Sequence, residues 1–141
     1  MQQLLHTPEG VRDYYNGECA AKLVTGSKLA HVFGLYGFQS IQTPTFEYFD
    51  IFNAERGSVA SKEMYKFFDR DGETMVLRPD FTPSIARCAA KYFGQEKLPI
   101  RLCYQGNIYI NNLSYQGRLK ESTQAGAELI GDDSLAADAE M

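Results

Sequence analysis

The sequence predicts an α+β fold in which helices flank an antiparallel sheet. The predicted elements run helix, strand, hairpin, helix, hairpin, helix, and this order favours an antiparallel sheet with separate helices. The second hairpin includes a strand, 122–130, that shows the period-2 alternation of a half-buried strand. The 141 residues, 44% of them hydrophobic, are enough for one domain with a real core.

The first element is a helix predicted over residues 18–35. Glycines at 34 and 37 end it, because glycine adopts the backbone conformations that close a helix at low cost. The pattern places one broad apolar face along the helix. We expect that face to be packed, and its members are Ala20, Leu23, Val24, Ala30 and Phe33.

Short strands come after the helix. Residues 38–43 predict a strand with Ile41 buried, and Pro44 confines the next residues to a sheet edge or a break. The Asp-Gly pair within residues 69–72 lies between two β-prone runs, at 65–68 and 73–77. Such a pair is a strong hairpin pattern.

A rigid corner leads into the next helix. Two prolines in segment 78–83 fix the backbone, and Thr82 is predicted to be the N-cap with Pro83 at the first helical position. The helix continues to about Tyr92. At the C-terminal end, an Asp-Asp-Ser run predicts a cap for a last helix over 135–141. We expect residues 1–141 to be the N-terminal part of a longer domain, because a helix of about two turns is marginal alone.

The second hairpin, over residues 100–131, contains the most informative pattern. Alternation assigns Thr123, Ala125, Ala127 and Leu129 to a core face, and Ser122, Gln124, Gly126, Glu128 and Ile130 to the other. Gln124 and Glu128 then lie about 13 Å apart on one face. Gly126, between them, is typical of close approach by a ligand or another backbone. This face is either the floor of a pocket for a small polar molecule or an ordinary solvent-facing surface.

Composition argues against a membrane or secreted protein. No apolar run approaches the ~20 residues that span a bilayer, and the first ten residues lack a secretory signal pattern. The cysteines, at 19, 88 and 103, are widely spaced and show no metal-ligand pattern, so reduced thiols in the cytoplasm are the simplest interpretation. With His6 and His31 as the only histidines, we expect no metal and no other cofactor.

The charge distribution disfavours a nucleic-acid partner. The net charge is −4, and the chain has no cluster of lysines and arginines. Proteins that bind RNA usually carry a basic patch that neutralises phosphates. We therefore do not expect this chain to bind tRNA.

The long hairpin resembles motif 2 of class II aminoacyl-tRNA synthetases, in the form found in histidyl-tRNA synthetase and its paralogues. The matching residues are Tyr104, Gly106, Gly117, Arg118, Gln124, Gly126, Glu128 and Gly131. Residues 8–13 are similar to the opening of that family, and 38–47 to motif 1, which builds the family's dimer interface. The resemblance implies the motif 1 and motif 2 regions of a class II synthetase-like antiparallel sheet, and a homodimer through motif 1.

The same resemblance implies a binding site for free histidine. The corner at 78–82 is similar to the Arg-Pro-Glu-Gly-Thr corner of the family, so Asp80 and Thr82 would hold the α-ammonium group. By the same correspondence Gln124 contributes to the α-amino site and Glu128 faces the imidazole. Two other interpretations stay open. Asp80 and Thr82 are residue types that often cap turns and helices, and the four residues could persist from ancestry with water in the site.

The ATP-binding residues of the family are largely replaced. Ile110 stands at the position of the motif 2 arginine that grips the α-phosphate, Asn112 at that of a glutamate, and Ser122 at that of the adenine-stacking phenylalanine. Arg118 still matches a loop arginine that contacts phosphates. Losing one preorganised donor costs about 3–4 kcal/mol in such reactions, and losing a stacking ring about 1–3 kcal/mol of base binding. We therefore do not expect efficient adenylation.

A kept amino-acid pocket beside a lost ATP site is typical of the non-catalytic paralogues, the regulatory subunits of ATP phosphoribosyltransferase. The resemblance then implies a subunit that is required for the first step of histidine biosynthesis and for its feedback regulation by histidine, with the catalytic subunit as partner. The alternatives are a histidyl-tRNA synthetase with a divergent motif 2, or another synthetase paralogue used as a binding or signalling module.

Overall fold

The computed structural model describes residues 5–53, 59–112 and 117–141. Its helices and strands come in the order α1 (Asn16–Leu35), β1 (Gln39–Ser40), β2 (Phe46–Tyr48), α2 (Asp50–Asn53), β3 (Lys66–Phe68), β4 (Thr74–Leu77), α3 (Thr82–Tyr92), β5 (Ile100–Tyr109), β6 (Glu121–Ile130) and α4 (Leu135–Glu140). A 3-10 turn, Ser61–Glu63, precedes β3. The mixture of helices and mainly antiparallel strands confirms the predicted fold class. Within the described ranges, no helix is both long and apolar enough to cross a membrane.

Two three-stranded sheets organise the chain. One has the order β1-β5-β6, and the other the order β2-β4-β3. β5 and β6 pair antiparallel along all ten residues of each strand, whereas β1 joins β5 in parallel over two residues. The β5–β6 hairpin is therefore the largest regular unit, and it supports the residues predicted to form the site.

The face of this hairpin that contains most of the core is not the predicted one. Tyr104 pairs with Gly126 and Leu102 with Glu128, so the even-numbered residues of both strands share a face. The main hydrophobic cluster, Phe81, Ile85, Leu102 and Tyr104, lies there. On the opposite face Thr123 is exposed. The prediction was wrong because small residues on the odd-numbered face suggested burial, whereas the apolar side chains of α3 pack on the even-numbered face.

The second sheet contains the shorter hairpin that the sequence predicts, formed by β3 and β4. Asp69 Oδ1 accepts hydrogen bonds from the backbone N–H groups of Asp71 and Glu73, each at 2.9 Å, and closes the turn. Gly72 has φ +87°, a conformation that favours glycine. β1 ends at Ser40 and β2 begins at Phe46, so Pro44 lies in the predicted break. Ile41, expected to be buried, is half-buried against the main cluster.

Helix α1 departs from the prediction of a packed apolar face. Leu23 is 68% exposed and Val24 is 54% exposed, and Gly26 is the one buried residue of the helix. The helix approaches β5 closely at Gly26, where an added Cβ would lie 2.1 Å from Nε2 of Gln105. The apolar side chains of α1 are therefore exposed because the described part of the chain provides no element that covers them.

Candidate functional site

A buried arginine holds the corner that begins the site. Arg78 is 8% exposed, and its guanidinium donates to the backbone oxygens of Thr43 and Asn107, each at 2.8 Å. Burial lowers the pKa of Arg78. Because these bonds join β4, β5 and the connection between β1 and β2, the residues after Arg78 are fixed relative to the long hairpin. This structural role of Arg78 was not predicted from the sequence, although a charged residue directly after an apolar strand is a visible pattern.

A stack of side chains covers the even-numbered face next to this corner. The Arg78 guanidinium lies 4.2 Å from the Phe81 ring centroid, and Phe81 stacks on Tyr104 with 4.4 Å between centroids. Two glycines make room for the stack. An added Cβ would lie 2.9 Å from Arg78 Nη2 at Gly106, and 2.5 Å from the Tyr104 hydroxyl at Gly126. The close approach predicted at Gly126 is therefore made by a side chain of the protein itself.

Thr82 and Glu128 are in direct contact. Thr82 is the first residue of α3, and its hydroxyl donates a 2.6 Å hydrogen bond to Glu128 Oε1. The residue at the N-cap is Phe81, which already has αR dihedral angles, so the prediction of Thr82 as N-cap was wrong. The stack on Tyr104 explains the shift by one residue, since it positions Phe81 against the sheet and leaves the Thr82 hydroxyl directed toward β6.

Asp80 lies at the same corner, two residues before Thr82. Its Oδ1 accepts a 2.7 Å hydrogen bond from the backbone N–H of Phe81. The pKa of Tyr104 is raised, first by burial and then by the negative charges of Glu128 and Asp80, while a hydrogen-bonding interaction with Thr82 opposes the shift. Asp80 and Glu128 are thus both near enough to the Tyr104 hydroxyl for their negative charges to act on it.

Gln124 is the fourth predicted site residue, and it lies on the same face of β6, paired with Gly106. Its Oε1 is buried and has no hydrogen-bond partner among the described residues. Such an oxygen is costly unless a water or a ligand satisfies it. The structure thus places all four predicted residues on the α3 side of the hairpin, with Thr82 and Glu128 in contact.

A cavity of about 490 Å³ opens beside the Thr82–Glu128 contact, between α3 and the β5–β6 hairpin. Thr82, Glu96 and Glu128 line its polar part, and most of the remaining wall is apolar, with Ile85, Ala89, Phe93, Leu98, Ile100 and Ile130. A mainly apolar wall with a few convergent polar groups is typical of small-molecule sites. The sequence did not predict this cavity, because Glu128 and Ile130 at the end of β6 meet α3 and the start of β5 there, and they are distant from both along the chain.

The positions corresponding to the ATP site cluster at the loop end of the hairpin. The backbone N–H of Ile110 donates to Lys120 O at 2.9 Å, and the Asn112 side chain donates to Leu119 O at 3.0 Å. Arg118 is exposed and forms no ion pair among the described residues. Ser122 is half-buried and pairs with Ile108. Part of the predicted loop, residues 113–116, lies outside the described residues, so the phosphate contact inferred for Arg118 stays a prediction.

Comparisons with known proteins agree with this geometry. A sequence model described as "Histidyl-tRNA synthetase" matches residues 10–141. The ATP phosphoribosyltransferase regulatory subunit of Clostridium novyi is 42% identical over 136 residues, 96% of this chain and 32% of the relative. The corresponding protein of Bacillus mycoides is 37% identical over 133 residues, 94% of this chain and 31% of the relative. The chain thus spans about a third of the length of the curated relatives it matches.

Solved structures show the same relationship. A Bacillus halodurans protein described as an ATP phosphoribosyltransferase regulatory subunit/histidyl-tRNA synthetase superposes with a TM-score of 0.87 at 34% identity, over 97% of this chain and 35% of that chain. The apo histidyl-tRNA synthetase of S. aureus gives a TM-score of 0.78 at 28% identity, over 96% of this chain and 31% of that one. With a family model that covers residues 10–141 and a shared fold, the chain belongs to the histidyl-tRNA synthetase family.

Proposed function

We propose that this chain acts in a regulatory subunit of ATP phosphoribosyltransferase, which binds histidine and does not activate it. One observation supports this most directly. Two of the predicted histidine-binding residues, Thr82 and Glu128, are in contact beside the α3 corner, whereas Ile110 occupies the position of the ATP-gripping arginine at the loop end of the same hairpin. The names of the curated relatives give independent support. The function would lie in the first step of histidine biosynthesis and its feedback regulation.

The chemistry of the site suits free histidine. Asp80 supplies negative charge for the ligand ammonium group and Glu128 an acceptor for the imidazole, because ionised carboxylates accept strong hydrogen bonds from N–H donors. The buried Gln124 Oε1 offers a further acceptor. The apolar wall beyond Glu128 provides space for a compact ring. A small amino acid with a polar head and a side chain that donates one N–H group fits this arrangement.

The loop end does not suit catalysis. Adenylation needs positive charge directed at the α-phosphate, and the aliphatic side chain of Ile110 has none. Asn112 uses its amide to bond Leu119 O within the loop. Losing one preorganised donor lowers such rates by about 10²–10³-fold. This is why we propose a regulatory subunit rather than a ligase.

The test uses the natural full-length protein with the catalytic subunit from the same organism. We expect the two to form a complex, phosphoribosyl transfer to ATP to require both, and histidine to inhibit the complex. Glu128→Gln should weaken inhibition by histidine, with complex formation unchanged. If the proteins do not associate and the full-length protein has no effect on phosphoribosyl transfer, the proposal is wrong.

A histidyl-tRNA synthetase is the second candidate, because the matched family model and the S. aureus structure carry that name. Histidine-dependent exchange between ATP and pyrophosphate separates the two functions. We expect no exchange above background from the full-length protein. Robust exchange would establish the synthetase and exclude the regulatory subunit as its sole function.

A homodimer is part of the proposal. The apolar side chains that α1 leaves uncovered, with Leu23 at 68% and Leu35 at 72% exposed, form a surface that a second copy would bury. This helix directly precedes residues 38–47, which resemble motif 1. Light scattering on the full-length protein should give a dimer, and Leu23→Glu should shift it toward the monomer. A wild-type monomer at micromolar concentration would refute the contact.

A further inference from the structure

The Thr82 hydroxyl donates its one hydrogen to Glu128, and Tyr104 is a second polar neighbour of the same hydroxyl. A hydroxyl has one donor hydrogen, and an ionised carboxylate only accepts hydrogen bonds. The 2.6 Å separation between Thr82 Oγ1 and Glu128 Oε1 is in the range of short O–H···O⁻ bonds. Both residues line the polar part of the cavity, so a ligand there meets a carboxylate that already has one oxygen engaged.

The surrounding packing keeps this pair in place. Thr82 lies directly after Phe81, which stacks on Tyr104. Tyr104 is 8% exposed and lies against Gly126, two residues before Glu128 on β6. The backbone on both sides of the hydrogen bond is thus held by one stack, which keeps Thr82 and Glu128 within reach of each other.

We infer that Thr82 is a positioning residue that makes Glu128 select a side chain with a single N–H donor, such as imidazole, against a guanidinium group. The inference rests on the proposed histidine site and deepens it. With Oε1 engaged by Thr82, Glu128 presents Oε2 to the ligand. A guanidinium group binds a carboxylate best through two parallel N–H···O bonds, which need both oxygens. An imidazole N–H needs only one carboxylate oxygen, so the hydrogen bond from Thr82 does not weaken its binding to Glu128.

This effect of Thr82 on ligand preference can be distinguished from the α-ammonium contact that the family resemblance implies for the same residue. If Thr82 only contacted the α-ammonium group, removing its hydroxyl would weaken every free amino acid by the same factor, because that group is common to all. If Thr82 also occupies one oxygen of Glu128, the same change alters the ratio between ligands. L-histidine and L-arginine share the α-ammonium and α-carboxylate groups, so the ratio of their dissociation constants isolates the side-chain effect.

The experiment is calorimetric titration of the full-length protein with L-histidine and, separately, with L-arginine. Thr82→Val keeps the branched shape without the hydroxyl, and Thr82→Ser keeps the hydroxyl. Without the Thr82 hydroxyl, Glu128 Oε1 is open to a second guanidinium N–H. A hydrogen bond to a charged group changes affinity by about tenfold to a hundredfold, so we expect Thr82→Val to reduce the preference for histidine over arginine by that factor. Thr82→Ser should keep the wild-type preference within about twofold.

Thr123→Val is the matched control. Thr123 is on the same strand as Glu128 but on the opposite face, where its hydroxyl donates to Asn107 Oδ1 at 2.8 Å. It should change neither dissociation constant. Equal weakening of both ligands by Thr82→Val would overturn the inference and leave the histidine site standing. Absence of histidine binding to the wild-type protein would overturn both, so the two failures are distinguishable.

Discussion

Replacing Gly126 by alanine should strain the centre of the site. An ideal Cβ at this position lies 2.5 Å from the Tyr104 hydroxyl oxygen and 2.6 Å from Cζ, distances that real Cβ atoms essentially never show. The Tyr104 ring has little room to retreat, because its other side stacks on Phe81 at 4.4 Å between centroids. Phe81 in turn has the Arg78 guanidinium 4.2 Å from its ring centroid. A shift of Tyr104 therefore disturbs the whole stack.

The expected change in the free energy of unfolding for Gly126→Ala combines two opposing contributions. Adding a methyl group to a filled core costs about 1–3 kcal/mol. Replacing glycine by alanine also restricts the unfolded chain, which contributes about 0.4–1 kcal/mol of stability where the backbone conformation is compatible. At Gly126 the backbone is an ordinary strand, so both contributions apply. We expect a net loss of about 1–2 kcal/mol in the free energy of unfolding.

Urea denaturation of the full-length protein, followed by circular dichroism, measures this loss as a lower midpoint. Gly34→Ala is the matched control, because an added Cβ there has no atom within 4 Å and lies within α1. That variant should be as stable as the wild type or slightly more stable. In a Tyr104→Leu background, Gly126→Ala should no longer lower the urea midpoint. An unchanged midpoint for Gly126→Ala, or a penalty that persists without the ring, would refute the reasoning.

The packing and charges lead to three further expected outcomes. Arg78→Met leaves buried backbone carbonyls without donors and should lower stability by about 2 kcal/mol, whereas Arg70→Met in the exposed turn should stay within about 0.5 kcal/mol, both by urea denaturation. Gly26→Ala should leave the melting temperature within a few degrees of wild type, since its Cβ meets only the movable end of an exposed glutamine. The Arg101 ion pair lowers the pKa of Glu140, so the docking of α4 should be constant above the ordinary pKa of 4.5 and weaken as the pH falls below it, measured by hydrogen exchange.

Local chemistry explains which parts of the fold could be predicted. The Asp69–Gly72 turn depends on residues within five positions of each other, because one carboxylate accepts from two nearby backbone N–H groups. The start of the last helix is also set by a local contact, because the Ser134 hydroxyl accepts a hydrogen bond from the backbone N–H of Ala137. Elements whose determining contacts are local in the sequence were predicted correctly.

The errors arose where a distant residue decides the outcome. Thr82 followed a helix-capping pattern, but its hydroxyl bonds Glu128, 46 residues later. Gly126 was interpreted as space for a ligand, and the ring of Tyr104, from the neighbouring strand, occupies that space. Exposure of the α1 apolar face likewise depends on which element packs there. The resemblance to a family gave four candidate site residues, but no sequence pattern predicted the contact between Thr82 and Glu128.

The geometry of the hairpin also explains how a recognition site can persist while a neighbouring catalytic site is lost. Ile110 lies four residues after Gly106, the partner of Gln124. At about 3.4 Å per residue this separation is about 14 Å. The stack beside the amino-acid pocket is anchored at Arg78, whose guanidinium bonds backbone oxygens next to the corner and packs on an aromatic ring there. Under the proposed function, an isoleucine in place of arginine at position 110 would therefore remove a group directed at ATP without removing a support of the proposed histidine site. A protein under selection only for sensing histidine would tolerate that change, whereas a ligase would not.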